Sequence, residues 1–302
     1  MVVSAHAPVL QEEVVALFRP QPGGRYLDAT VGLGGHAEAI LRASAPTGIV
    51  LGFDRDAEAL SLTGQRLAAF GARLILRQGR YEALAELVGS AERFDGVLFD
   101  LGASSLQLDA ADRGFSFSQA GPLDMRMDRG TGATAAEILD RLSERELADL
   151  IFAWGEERWS RRIARAIVTA RRERSIATTT DLAAIVARSI PRRLWPRHIH
   201  PATRTFQAIR IAVNQELVGL ERALEDATRL LAPGGRAVVI SFHSLEDRIV
   251  KQTWRRLEAD GGVRVLTKRP ITPGAAELSA NPRSRSAKLR AAERLPAARE
   301  AA

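Results

Sequence analysis

The segment YLDATVGLGGH, residues 26–36, constrains the fold of this chain more than any other. A short apolar run ends at Asp28, and a glycine-rich turn that includes Gly34 and Gly35 follows within a few residues. This order is typical of a strand that enters a turn where the backbone approaches a ligand closely. The next strand-like segment ends at Asp54, which lies 54 − 34 = 20 residues beyond Gly34. This is near the spacing at which an acid meets a ribose hydroxyl, so the turn predicts an adenosine-like ligand.

Strand-like segments alternate with helical segments over the first third of the chain. The strand candidates are 25–29, 48–53, 73–77 and 96–100, then 236–242, and finally the weaker candidates 262–266 and 286–292. Strands that alternate with helices predict a parallel sheet covered on both faces. The last two candidates fit a closing antiparallel pair.

The alternation stops in the middle of the chain, where residues 134–190 have a helical pattern only. Thr134, Ser143 and Thr180 stand just before helical stretches and are predicted to cap them. A long amphipathic helix is predicted from 201 to about 231. We therefore expect one discontinuous α/β domain at residues 1–108 and 206–302, with an inserted all-helical domain at 109–205.

Arginine is concentrated in and beside this predicted insertion. Residues 161–210 hold twelve Arg, no Lys and two acidic residues, a net charge of 12 − 2 = +10, whereas the whole chain carries +7. Guanidinium groups on such a surface suit bidentate contacts with phosphate, which favours a polyanionic partner. A solvated helical surface in an Arg-rich chain is the alternative.

Composition excludes several kinds of chemistry. The chain has no cysteine, which removes disulfides, thiolate zinc and a cysteine nucleophile. Its five histidines are scattered and suggest no metal site. No apolar run approaches the roughly 18 residues that span a bilayer, and the N-terminus lacks the pattern of an export signal. We expect a cytoplasmic protein with no metal and no membrane partner.

Acidic residues follow several of the predicted strands and indicate which ligand is bound. Because ligands of open α/β sheets bind at the carboxyl ends of the strands, Asp28, Asp54 and Asp100 should converge on one crevice. An acid beside the turn opposes a pyrophosphate but suits a cationic group, and GLGGHA is a weak match to the dinucleotide motif. This favours S-adenosylmethionine over NAD, while a glycine turn without a ligand stays the alternative. Tyr81, after the third strand, could flank an adenine ring or pack as a half-buried aromatic residue.

Long strings along the chain resemble the bacterial 16S ribosomal RNA cytosine-N4 methyltransferase family. They include VGLGGH, GFDRD, LFDLGASS, RGFSF, GPLDMRMD, GEERWSRRIARAI, HPATRTFQAIRIAVNQEL and LAPGGRAVVISFHSLEDRIVK, and the resemblance runs from His6 to about Arg294. It implies a class I S-adenosylmethionine methyltransferase fold, which is Rossmann-like with a mostly parallel seven-stranded sheet, and an inserted all-helical domain. It also implies that the cofactor contacts are Gly34, Gly35, His36, Asp54, Tyr81, Asp100 and Gln107.

The activity that the resemblance implies is methylation of the exocyclic N4 amine of a cytidine in 16S rRNA, at the decoding centre of the small ribosomal subunit. No protein partner is evident. Where other amine methyltransferases have an acid or amide followed by two prolines and an aromatic residue, this chain reads DLGASS from Asp100. The catalytic candidates are Asp100, Ser104 in this turn, and His243 after the fifth predicted strand. Ser244 with Asp247 fits a simple helix cap beside His243.

Two questions stay open at the level of sequence. Phe115 and Phe117 could stack on a flipped cytosine, or they could anchor a loop in the core. The chain could also be a non-catalytic RNA-binding assembly factor that retains a cofactor fold. The acids beside the glycine turn favour the enzyme, because a pure binding protein needs no site for a sulfonium group.

Overall fold

The computed structural model describes residues 8–89 and 91–296. The strands are β1 (Arg25–Asp28), β2 (Ile49–Asp54), β3 (Leu74–Gln78), β4 (Phe94–Asp100), β5 (Leu231–Ser241), β6 (Val263–Val265) and β7 (Lys288–Arg294). The α-helices are α1 (Gln11–Phe18), α2 (Gly35–Ala43), α3 (Ala57–Arg66), α4 (Leu84–Val88), α5 (Ser105–Asp109), α6 (Ala135–Arg141), α7 (Glu144–Gly155), α8 (Ser160–Glu173), α9 (Thr179–Ser189), α10 (Thr203–Asn214), α11 (Leu220–Leu230), α12 (Ser244–Ala259) and α13 (Ala275–Ala280).

In the described part of the chain, seven strands form one sheet in the order β3-β2-β1-β4-β5-β7-β6. The strands from β3 to β5 are parallel, while β7 runs antiparallel to both β5 and β6. The strand order reverses between β1 and β4, which is the switch point where open α/β sheets bind ligands. The sheet confirms the predicted class I methyltransferase fold and the antiparallel closing pair.

The chain divides into two compact units, residues 1–102 with 217–302 and residues 103–216. We call these the sheet unit and the helical unit. The helical unit extends beyond residues 109–205 at both ends, because it includes α5 and α10. Phe206 and Ile209 of α10 belong to the same buried cluster as the side chains of α7 and α8.

The predicted long helix from 201 to about 231 is wrong, because the structure has two helices there. The helix α10 ends at Asn214, because the next residue, Gln215, has a φ of 53° and leaves the right-handed helical region; α11 begins after Gly219, which has a φ of 76°. The break coincides with the passage from the helical unit to the sheet unit at residues 216 and 217. Apolar periodicity continues through the break, so the pattern alone did not reveal it.

The structure confirms two of the three helix caps predicted for the middle of the chain. Thr134 and Ser143 each form the predicted cap, and in both cases a glutamate three residues later completes a capping box. The prediction for Thr180 is wrong by two residues, because the cap is Thr178, whose Oγ1 accepts a hydrogen bond from Asp181 N at 3.1 Å. Three threonines stand in a row at this point, and only the fold selects the one that caps.

Alternating side chains of the strands supply the two hydrophobic cores of the sheet unit. One core contains Leu27, Val97 and Phe99 with residues of α4, α11 and α12, and the other contains Tyr26 and Leu98 with residues of α1 and α2. Burial on both faces agrees with the near-continuous apolar runs of these strands. The sheet is therefore a rigid support for the residues at its carboxyl edge.

The helical unit has a separate core built from α6 to α10. Ile163 and Ile167 of α8 are buried, while Arg161 and Arg162 on the same helix are exposed. Phe117 packs edge-to-face on Phe206, with ring centroids 4.7 Å apart, which favours its role as a core anchor. No helix within the described ranges is both long enough and apolar enough to cross a bilayer.

Candidate active site

Three acidic residues end three neighbouring strands of the sheet unit. Asp28 is the last residue of β1, Asp54 of β2 and Asp100 of β4, and these strands lie side by side in the order β2-β1-β4. Because the strands are parallel, their carboxyl ends meet at one edge of the sheet. The structure therefore brings the three acids to the same edge.

Asp54 fastens the glycine turn to the end of β2. Its Oδ2 accepts a hydrogen bond from Gly32 N at 2.8 Å, and its Oδ1 accepts one from Asp56 N at 2.9 Å. Thr63 of α3 holds the same turn from another side, because its Oγ1 donates to Gly32 O at 2.6 Å. Asp54 thus has a structural role that the ribose spacing did not predict.

The glycines of the turn are required by packing as well as by conformation. Gly34 has a φ of 76°, and a Cβ there would lie 2.6 Å from Thr63 Cγ2, while a Cβ on Gly35 would lie 2.4 Å from Pro8 Cγ. The turn leads directly into α2, which begins at Gly35. The first backbone N–H groups of a helix have no partner within the helix and favour a negatively charged group.

His36 and Asp100 lie close together without forming a normal hydrogen bond. His36 Nε2 is 3.6 Å from Asp100 Oδ2, which is longer than a hydrogen bond. Both ring nitrogens of His36 and the Oδ1 atom of Asp100 are buried without a hydrogen-bond partner in the described structure. Buried polar atoms of this kind are uncommon in folded proteins, and they mark this edge as a place where a ligand would complete the hydrogen bonding.

Burial dominates the electrostatics of this edge. Burial raises the pKa of Asp28 to about 7, with a further contribution from the nearby Asp54 carboxylate. Burial, followed by the charges of Asp28 and Glu246, raises the pKa of Asp100 well above its ordinary value. The pKa of His36 is lowered to about 4 by burial, so its ring is neutral near pH 7. No Lys or Arg in the described ranges forms an ion pair with Asp28 or Asp100.

These residues fit a ligand that carries both positive and negative charge. A cation placed among Asp28, Asp54 and Asp100 would stabilise their ionised forms, which burial alone disfavours. A carboxylate would suit the N-terminus of α2. An amino-acid group beside a sulfonium has this combination of charges, whereas a pyrophosphate would face the acids unfavourably.

His243 caps α12, which corrects the prediction that Ser244 and Asp247 form the cap. Its Nδ1 accepts a hydrogen bond from Glu246 N at 3.4 Å, and Glu246 Oε2 accepts bonds from the backbone N–H groups of Phe242 and His243. His243 Nε2 lies 3.1 Å from Glu246 Oε1. Asp247 instead pairs with Arg290, whose Nε donates to Asp247 Oδ1 at 2.6 Å. A histidine is an unusual cap, so the local sequence favoured the serine.

The remaining predicted residues have other surroundings. Ser104 and Gln107 belong to the helical unit, where each accepts a hydrogen bond from the backbone N–H of the other at the start of α5. Tyr81 follows β3 and is buried, with its ring edge-to-face against Phe99 at a centroid distance of 6.0 Å. The structure therefore shows Tyr81 as part of the core of the sheet unit.

Sequence reasoning missed Thr30 and Glu246. Thr30 lies between Asp28 and the glycine turn and forms hydrogen bonds with both Asp28 and Asp100. Glu246 is buried and is one of the charges that raise the pKa of Asp100. The capping-box spacing of His243 and Glu246 was a usable signal for the second residue, whereas no local pattern identified Thr30.

The fold and the acidic edge together define a methyltransferase of the class I type. Residues 3–295 match the model of the MraW methylase family, and the chain belongs to this family. Membership of a methylase family confirms the predicted class of enzyme and its cofactor, S-adenosylmethionine.

Individual relatives agree with this assignment. A protein of Geotalea daltonii named ribosomal RNA small subunit methyltransferase H is 50% identical, with 96% of this chain and 98% of the relative covered. A protein of Geobacter sulfurreducens with the same name is also 50% identical, with coverage of 96% and 99%. Among solved structures, NSun6 from Pyrococcus horikoshii is 11% identical with a TM-score of 0.47, covering 96% of this chain and 53% of that one. This structural similarity is low, so the fold assignment rests on the strand order.

Replacing Asp54 by Ala is expected to weaken binding of S-adenosylmethionine by about 1.5–3 kcal/mol, which is the range for a hydrogen bond to a charged group. The physical reason is that the variant loses both the charge and the acceptor that holds Gly32 N. Calorimetric titration measures the change. The control is Asp56→Ala, which removes the side-chain cap of α3 and should lower stability without a specific loss of affinity. Unchanged affinity in the Asp54 variant would contradict the assignment.

Proposed function

We propose that this chain transfers the methyl group of S-adenosylmethionine to the exocyclic N4 amine of a cytidine in 16S rRNA, at the decoding centre of the small ribosomal subunit. The names of its close relatives support ribosomal RNA as the substrate class. The position of Asp100 is the observation that supports an amine as the methyl acceptor. Its carboxyl group ends β4 at the switch point and has an Oδ1 atom without a hydrogen-bond partner among the described residues.

The donor site in this proposal is built mainly from the sheet unit. The proposed cofactor contacts there are Gly34, Gly35, His36, Asp54, Tyr81 and Asp100, and Gln107 of the helical unit stays a proposed contact on the family resemblance alone. Asp100 is the proposed catalytic residue. Ser104 and His243 stay proposed catalytic residues, although each already takes part in a helix cap. The site needs no metal, because a sulfonium methyl group is already a strong electrophile.

The chemistry of cytosine explains why a placed acid is useful. The lone pair of N4 is delocalised into the ring, so the amine is a weak nucleophile until its hydrogens are held by acceptors. Asp100 can accept one N–H hydrogen bond, orient the nitrogen for in-line attack, and take the proton that N4 loses. S-adenosylmethionine supplies the electrophilic methyl group. Positioning and fixed acceptors account for most of the rate acceleration in such a site.

Exposed arginines of the helical unit are the proposed RNA surface. Arg161, Arg162, Arg192 and Arg193 are exposed and have no acidic partner among the described residues, unlike Arg174, which pairs with Asp181 at 3.0 Å. A base in folded RNA must leave its stack before its amine can react, which costs on the order of a few kcal/mol. Phosphate contacts at these arginines can offset that cost.

Replacing Arg192 and Arg193 by Gln is expected to weaken RNA binding and to reduce the slope of log affinity against log salt by about 1 for each phosphate that is no longer neutralised. Affinity for S-adenosylmethionine should be unchanged, because neither residue is among the proposed cofactor contacts. Titration of a 16S rRNA fragment over a salt series measures the slope. Arg174→Gln is the matched control, since this exposed arginine is already paired with Asp181. An unchanged slope in the double variant would remove this surface from the RNA interface.

One experiment tests the whole proposal. The protein is incubated with labelled S-adenosylmethionine and small subunits from a strain that lacks the enzyme, and the modified nucleotide is mapped by mass spectrometry. The expected product is a cytidine with one new methyl group on N4. Methylation of another atom would overturn the proposal. RNA binding without any transfer would instead support the non-catalytic assembly factor.

A further inference from the structure

Thr30 connects two of the acids of the site, Asp28 and Asp100. Its Oγ1 accepts a hydrogen bond from Asp100 N at 2.6 Å, and its own N–H donates to Asp28 Oδ1 at 3.2 Å. The two acids lie on neighbouring strands and are 72 residues apart in the chain (100 − 28 = 72). A single residue thus links the ends of β1 and β4.

The hydroxyl of Thr30 takes the place of a main-chain acceptor. The strands β1 and β4 are paired as far as Asp28 opposite Leu98, and Ala29 N still donates to Leu98 O at 2.9 Å. A regular parallel ladder would next use a carbonyl of the β1 segment as the acceptor for Asp100 N. The chain instead enters the glycine turn, and the Thr30 side chain accepts that hydrogen bond. Without it, the last hydrogen bond between β1 and β4 would be the one that Ala29 N donates to Leu98 O, two residues before Asp100.

The distance between these strand ends affects every charged group at the edge. Asp28 and Glu246 are the charges that raise the pKa of Asp100, and Asp54 contributes to the raised pKa of Asp28. His36 faces Asp100 from α2. A small separation of the strands would admit water, weaken the repulsion between the acids and enlarge the space for a cation. The geometry of the cation site therefore depends on the bond that Thr30 accepts.

We propose that Thr30 is a positioning residue that holds the Asp28 and Asp100 carboxyl groups as one binding unit for the cationic methyl donor. The inference rests on the proposed function, which assigns Asp100 to the donor site. Thr30 acts through the two acids, and its hydroxyl is needed as an acceptor.

The test is calorimetric titration with S-adenosylmethionine over a pH series that spans the Asp28 pKa of about 7. A cationic donor prefers ionised acids, so affinity should rise with pH through this range. Thr30→Val keeps the side-chain shape but removes the acceptor. We expect binding about tenfold weaker at neutral pH, equivalent to about 1.4 kcal/mol. We also expect the pH midpoint of the affinity change to move lower, because separated and better solvated acids ionise more easily. Thr30→Ser keeps the hydroxyl and should restore both properties.

Thr63→Val is the matched control, since its hydroxyl binds Gly32 O in the same turn but neither acid. It should reduce affinity without moving the midpoint. If Thr30→Val does not fold, Thr30→Ala replaces it. The role of Thr30 would be overturned if Thr30→Val had the same pH midpoint of affinity as wild type. It would also be overturned if Thr30→Ser failed to restore the affinity and the midpoint. If Asp100→Asn binds the donor as tightly as wild type, Asp100 does not belong to the donor site; this removes the assignment on which the inference rests and is distinct from a failure of Thr30 alone.

Discussion

Asp100→Asn is expected to slow methyl transfer by about 10²–10³-fold, the range found when one preorganised polar group is removed from an active site. The substitution keeps the shape of the side chain but removes the charge that the donor requires and the base that accepts the amine proton. Asp100 Oδ1 has no hydrogen-bond partner in the described structure. The substitution should therefore remove contacts with the ligand and leave the hydrogen bonds within the protein intact. Binding of RNA should change little, because phosphate contacts at the exposed arginines are expected to supply most of the affinity for RNA.

Single-turnover rates at saturating donor separate the two roles of Asp100. A lower rate at full donor occupancy assigns Asp100 to placing the amine, whereas a normal rate with weaker donor binding assigns it to the cofactor. Asp260→Asn is a suitable control, because Asp260 is an exposed aspartate at the end of α12 in the same unit. If both the rate and the donor affinity match those of wild type, Asp100 has neither role.

In the absence of the donor, we expect the free energy of unfolding of the wild-type protein to fall as pH rises. We expect Asp28→Asn to show a much smaller fall. The pKa of Asp28 is about 7 in the folded protein, against an ordinary value of 3.8. Between these values the folded state holds a proton that the unfolded chain has released, so the free energy of unfolding falls as pH rises. The difference between the two pKa values corresponds to about 4 kcal/mol of stability. This contribution is present at low pH and is fully lost above the pKa of the folded state. An Asn at this position stays neutral and can still accept from Thr30 N.

Urea unfolding at a series of pH values measures this effect. The wild-type curve should decline from pH near 4 to pH near 7, while the Asp28→Asn curve should be flatter over that window. Saturating S-adenosylmethionine should stabilise the wild-type protein more at high pH than at low pH, because its positive charges favour ionised acids. Asp260→Asn should leave the wild-type slope intact. Equal slopes for wild type and Asp28→Asn would show that Asp28 is not the titrating group.

Much of the sheet unit could be predicted from local patterns. The apolar runs that end in Asp28, Asp54 and Asp100 are strands, and the acids stand at their carboxyl ends. The capping boxes at Thr134 and Ser143 also follow from a few consecutive residues. These signals succeed because strand alternation and helix capping depend on neighbours within a few positions along the chain.

Other features depended on interactions between distant residues. The periodicity that suggested one helix over 201–231 is shared by α10 and α11, which belong to different units. The choice of His243 as a cap depends on the buried Glu246 carboxylate, which also accepts bonds from two backbone N–H groups. The edge-to-face packing of Tyr81 on Phe99 likewise could not be read from local sequence, and the role of Tyr81 beside an adenine ring stays a prediction.

The glycine turn and its flanking acids were determined by the sequence itself, because each lies within or directly beside a strand whose apolar pattern is local. The tertiary structure decided how these groups interact. The strand order sets β1 beside β4, so that Thr30 reaches Asp100 across 70 positions of the chain. The same packing removes water from Asp28, Asp100 and His36 and shifts their pKa values. Desolvation depends on tertiary packing, so it cannot be predicted from a short segment of sequence.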